Sequence, residues 1–95
     1  MSIDKSFRAL NRYTCRKVLD ILRRGPMSVG ETHSRMNMGT RASVSQAFAV
    51  LLKAGMVSVQ RQGRNNIYQL RSAPFQEVGK YCNALAQHAR RSTTT

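Results

Sequence analysis

Acidic side chains are scarce in this chain. Four Asp plus Glu stand against sixteen Lys plus Arg in 95 residues, a formal net charge of +12. So few carboxylates, spread along the chain, are a thin supply for acid–base catalysis. No nucleophile–base pair and no phosphate-cradling loop stands at usable spacing, so no enzyme is expected. The two cysteines, Cys15 and Cys82, make no disulfide scaffold and no zinc-motif spacing. A reducing cytoplasm is the expected compartment. No apolar run approaches the ~20 residues that span a bilayer. The opening MSIDKSFRAL lacks a basic start followed by a long apolar stretch, so no secretory leader is expected.

Hydrophobic residues make up 41%, enough for one modest core and too many for a disordered basic tail. One domain over residues 1–91 is expected, with Ser92 to Thr95 as a frayed tail. A surplus of positive charge on so small a body draws nucleic acid or an anionic membrane. A membrane-surface helix gathers its cations opposite a broad apolar face. Here they are spread along the chain and are mostly Arg, the better phosphate fork. Double-stranded DNA is therefore the expected partner, and no membrane.

Hydrophobic spacing sets out the elements. Ile3, Phe7 and Leu10 predict a helix over 3–11, with Ser2 or Asp4 as start signals. Val18, Leu19 and Leu22, with Ile21 nearby, predict a second over 13–24, stopped by Gly25 and Pro26. Ser28-Val29-Gly30-Glu31 has the form of a capping box and opens a short helix to about Met36. Asn37-Met38-Gly39 is a turn. Thr40 caps a fourth helix over 41–54, whose stripe is Val44, Ala47, Phe48 and Leu51. The period then changes: 56–61 and 66–70 read as strands around the turn Gln62-Gly63-Arg64-Asn65. Ser72 and Pro74 start a last helix, with Phe75, Val78, Tyr81 or Cys82, Leu85 and Ala89 at helical spacing to about Arg90.

The order ααααββα is mainly helical with one small hairpin. A short helix, a turn and an amphipathic helix make a helix-turn-helix, and the hairpin makes it winged. Helix 41–54 offers Arg41, Ser43, Ser45 and Gln46, with Thr40 at its cap. Arg forks onto guanine, Gln onto adenine, and Ser onto a base or a phosphate. The hairpin tip adds Arg61, Arg64 and Asn65, suited to the minor groove or its flanking phosphates.

These residues carry a resemblance. The run from Arg41 to Val57 resembles the recognition helix and following strand of the ArsR/SmtB-type winged-helix repressors. Gly63 to Leu70 is similar to their wing, Tyr13 to Leu22 to their second helix, and Met27 to Glu31 to the start of their helix-turn-helix. The resemblance covers roughly residues 5–90. It implies a homodimer that reads an inverted repeat and represses a promoter. It further implies an interface made by the first and last helices, here Ile3, Phe7, Leu10, Phe75, Val78, Tyr81, Cys82 and Leu85. A non-specific architectural DNA-binding protein is the alternative from another class; an adaptor docking a protein through its last helix is a third.

The chain departs from the family's sensors. No cysteine pair stands in Ser28 to His33, and Glu77, Cys82 and His88 lack the spacing of a last-helix metal site. Four ligands would have to be gathered from His33, His88, Cys15 and Cys82, so no metal and no cofactor is expected. Some relatives bridge a second-helix cysteine to a last-helix cysteine, which leaves a redox-responsive repressor using Cys15 and Cys82 as a further alternative. Cys15 stands earlier than the family's redox position, where this chain has Asp20. Arg16, Lys17 and Lys80 would favour thiolate.

Overall fold

A computed structural model of the chain describes residues 3–92. Its elements are α1 (Ile3–Leu10), α2 (Tyr13–Leu22), α3 (Val29–Met36), α4 (Arg41–Lys53), β1 (Val57–Gln62), β2 (Asn65–Leu70) and α5 (Ser72–Ser92). The order is the ααααββα of a winged helix-turn-helix. Ser92 belongs to α5 rather than to a tail; its Oγ donates to the His88 carbonyl at 3.1 Å and holds the last turn. The rest of the expected tail, 93–95, and the start signal at Ser2 lie outside the described residues.

Local chemistry sets each boundary near α4. The capping box before α3 is formed: Glu31 N donates to Ser28 Oγ, and Ser28 N to Glu31 Oε1, both at 3.1 Å. At its far end α4 closes on Gly55, whose φ of +73 suits glycine and few other residues. Gly55 N donates to Leu52 O and Met56 N to Leu51 O, each at 3.0 Å. That pair satisfies two orphan carbonyls, and Met56 and Leu51 are both buried beside it.

The core lies where α2 crosses α4. Val18, Leu19 and Leu22 meet Val44, Ala47, Phe48 and Leu51, with Met56 and Val57 closing one end. Each large apolar side chain buried there stabilises by roughly 1.5–3 kcal/mol. Cys15 belongs to this core, its thiol directed at the Ala47 carbonyl with Sγ 3.8 Å away.

α1 meets the body through its small side chains. Its buried residues are Ser6 and Ala9. Small side chains let its backbone approach the body closely, while Ile3 and Leu10 stay half-buried and Phe7 is 37% exposed. Leu10 packs against the edge of the core, and Phe7 turns toward α5, where its ring meets that of Tyr81 edge to face at 5.8 Å.

The hairpin is tighter than the four-residue turn expected from sequence. Gln62 pairs with Asn65, which leaves a two-residue loop of Gly63 and Arg64. Gly63 sits at φ +62, in the first central position where such mirror-image turns place glycine. A pairing not expected from sequence joins the sheet: Met27 and Tyr68 exchange both backbone hydrogen bonds, at 3.0 and 2.8 Å.

α5 departs from the body. From Lys80 onward every described residue is exposed. Its 21 residues span about 31 Å. The radius of gyration is 15.6 Å, against about 12 Å for a compact chain of this length. No helix among the described residues is long and apolar enough to cross a membrane.

Candidate nucleic-acid interface

The turn between α3 and α4 is built from backbone conformation and one side chain. Asn37 adopts the left-handed conformation at φ 53, and His33 Nε2 stands 3.0 Å from the Gly39 carbonyl. That contact gives His33 a local positioning role. Thr40 and Ser43 then cap α4 reciprocally. Ser43 N donates to Thr40 Oγ1 at 3.0 Å, and Thr40 N to Ser43 Oγ at 3.1 Å. Ser43 Oγ also donates to the Thr40 carbonyl at 2.8 Å. Both hydroxyls, expected from sequence at the DNA, are therefore engaged in holding the helix start.

The rest of the outward face is open. Val44, Ala47, Phe48 and Leu51 are buried, and Arg41, Ala42, Ser45, Gln46, Ala49, Leu52 and Lys53 are exposed. Ala42, Gln46, Ala49 and Lys53 recur at helical spacing directly opposite the buried stripe. Lys53, which was not among the residues expected at the DNA, joins this face seven residues after Gln46, two turns along. Gln46 has the donor and acceptor for an adenine edge, and the two alanines let the helix come close to base edges. Arg41 lies beside Gly30 of α3. A Cβ placed at Gly30 would stand 3.2 Å from Arg41 Nη2, so the missing side chain leaves the guanidinium its room.

The hairpin tip is exposed from Arg61 through Asn66. Arg61 Nε donates to the Gly63 carbonyl at 3.2 Å. Arg61 thus stiffens the loop beside Arg64 and Asn65. The far strand is anchored on α4 itself: the Tyr68 ring stacks on Phe48 with centroids 4.4 Å apart and planes tilted by 40°. With the Met27 bridge behind Tyr68, the hairpin and α4 form one packed unit.

The expected interface residues are split by exposure. Tyr81 and Leu85 are 51% and 54% exposed, and Cys82 is exposed as well. Phe75 and Val78 are half-buried. The two cysteines stand in opposite surroundings. Cys15 is buried and Cys82 exposed, both free. Burial pushes the Cys15 thiol up from its ordinary value, against a smaller lowering by Arg12. The favouring of thiolate expected from Arg16 and Lys17 is thereby corrected for Cys15, because desolvation disfavours the anion. No Cα of α2 comes within 8 Å of one in α5. A disulfide needs Cα atoms within ~7 Å, so this chain has no internal Cys15–Cys82 bridge without rearrangement. Among the described residues no three His, Cys, Asp or Glu side chains gather as a metal site.

A basic winged helix-turn-helix with an open polar recognition face belongs among the transcriptional regulators. The transcriptional repressor SdpR of Bacillus subtilis strain 168 is 31% identical over 71 residues, covering 75% of this chain and 78% of SdpR. A crystal structure of an ArsR family transcriptional regulator superposes with a TM-score of 0.76 at 27% identity, covering 97% of this chain and 91% of that one. An ArsR-like regulator from Rhodococcus sp. RHA1 gives 0.81 at 20% identity, over 96% and 85%. The homodimeric winged helix-turn-helix DNA-binding domain of Mb0332 from Mycobacterium bovis gives 0.70 at 19% identity, over 90% and 78%. No family profile matches the chain. The chain belongs to the ArsR family of winged helix-turn-helix transcriptional regulators.

Proposed function

We propose that this protein is a homodimeric repressor that binds an inverted-repeat operator, with α4 in the major groove and the hairpin tip on the minor groove or its phosphates. One observation carries the assignment. α4 is divided into a fully buried apolar stripe and an open face of Arg41, Ser45, Gln46, Ala49 and Lys53. A helix so divided presents its polar edge to a groove without exposing core. Repression is supported by the likeness to the repressor SdpR.

Dimerisation is supported by α5. Tyr81 and Leu85 lie on a helix that leaves the body, next to Phe7 of α1. A second copy laid along these helices would cover them, and the homodimeric state of Mb0332 favours that arrangement. Two-fold symmetry then sets the two α4 helices about one DNA turn apart, ~34 Å.

Selection of bound duplexes from a random pool tests the proposal. The expected product is an inverted repeat with half-sites one turn apart, bound by two chains. A repressor prefers this sequence over random duplex by at least ~10³. Equal affinity for all duplexes would make the protein an architectural coat. No affinity even at low salt would leave the adaptor reading.

A further inference from the structure

One apolar recess in the described structure lies away from α4's open face. It is a cleft of about 500 Å³ between α2, the end of β2 and the start of α5. Leu10, Leu19, Leu70 and Phe75 form its apolar walls, and of these Leu10 and Phe75 also belong to the expected dimer face. Its polar border is Arg16, Lys17, Arg23, Asp20 and Tyr13. Three cations thus face one carboxylate around an apolar floor.

Two of those cations are held in place. Arg16 Cζ and Lys17 Nζ lie 5.9 and 5.4 Å from the centroid of the same Tyr13 ring. Arg16 Nη1 also donates to the Leu10 carbonyl at 2.6 Å. Side chains already restrained lose less freedom when a ligand arrives, so more of the ion pair is retained as affinity. The volume falls in the range of small-molecule sites, ~300–1,000 Å³.

We infer that this cleft binds a small amphipathic organic anion: an apolar chain or ring lying on Leu19, Leu70 and Phe75, with its carboxylate or sulfonate at Arg16, Lys17 and Arg23. The charge pattern selects this class. An uncharged apolar molecule would leave the cations unused, and an amphipathic cation would be repelled by the net positive border. The cleft's walls belong to α2, which packs on α4, and to α5, which leaves the body. A ligand between them biases the angle of α5 to the reading head. If binding and DNA affinity are linked, each ligand changes the other's affinity by the same factor. That linkage rests on the proposed DNA function; the binding site does not.

Titration of the DNA-free 95-residue chain with decanoate, decanol and decyltrimethylammonium, followed by calorimetry below their micelle concentrations, tests the site. Decanoate is expected to bind once per chain, at least tenfold tighter than decanol, and the cation not at all. Lys17→Gln with Arg23→Gln should reduce decanoate affinity by about tenfold or more while leaving decanol unchanged. Near-ultraviolet circular dichroism of the variant confirms its fold. Equal binding of decanoate and decanol, an unaffected double variant, or no decanoate binding at millimolar concentration would each overturn the site. A duplex titration with and without decanoate then tests the linkage separately. An unchanged duplex affinity would sink the regulatory role while the site stood.

Discussion

Arg64 offers the most direct measurement of the wing. It occupies the second position of a two-residue loop at the exposed hairpin tip. In the proposed dimer two such tips reach the duplex, one from each subunit. Each phosphate neutralised releases counterions and contributes about 0.9 to the slope of log affinity against log salt. Removing both Arg64 side chains should therefore flatten that slope by about 1.8. Over a fourfold rise in salt, the wild type should lose about tenfold more affinity than Arg64→Ala. Fluorescence anisotropy on operator and on random duplex, from about 50 to 200 mM salt, measures both slopes. The loss at low salt should be similar on the two duplexes, because a phosphate carries no base identity. Arg64→Lys should restore the slope, since it keeps the charge. An unchanged slope in Arg64→Ala would remove the wing from the contact surface. A loss confined to the operator would mean that Arg64 reads a base.

Four further outcomes are expected. Gln46→Ala should cost roughly 1–3 kcal/mol and relax preference at one base position per half-site, measured by competition with single-base operator variants. Phe48→Ala should destabilise by about 3–5 kcal/mol in urea unfolding, and it should loosen the wing by removing the ring under Tyr68. Gly30→Ala should stabilise α3 by about 1 kcal/mol through helix propensity, yet weaken operator binding, because its methyl displaces the Arg41 guanidinium. Calorimetry and anisotropy on the same variant separate the two effects. In a Cys82→Ser background, Cys15 should stay silent to a thiol reagent until the protein unfolds. Its folded pKa is raised above its unfolded value by burial. The stability it contributes is therefore full below the unfolded pKa and is lost as pH rises toward the folded one. Cys15→Ala should reduce the alkaline fall in stability, read from thermal unfolding between pH 7 and 10.

The reading head was legible because its signals are local and agree. Ser28–Glu31, Thr40, the 3.6 period from Val44 to Leu51, and Gly55 each fix one boundary without knowledge of the rest. Contacts between elements were not legible in the same way. Periodicity in α1 picks out Ile3, Phe7 and Leu10, yet the body accepts Ser6 and Ala9, since close helix approach selects small side chains. The opposite surroundings of Cys15 and Cys82 depend on which helix crosses α4 and which leaves the body. The Met27–Tyr68 bridge joins residues 41 positions apart, and no local pattern marks it. At the site, sequence placed Arg41, Ser45 and Gln46 on an open face and named Thr40 as the cap of α4. The reciprocal bond from Thr40 N to Ser43 Oγ was not legible.

The ring stack of Tyr68 on Phe48 has a consequence for how a target is searched. On the proposed DNA placement, the shared aromatic seam brings helix and hairpin to the duplex together. On the proposed placement the pair acts as a caliper, touching a wide groove with one jaw and the adjoining narrow one with the other. Its opening is fixed by core packing rather than by loop flexibility. Targets whose groove spacing departs from that opening must bend or twist to fit, so stiff flanking tracts should be penalised even where no side chain touches a base.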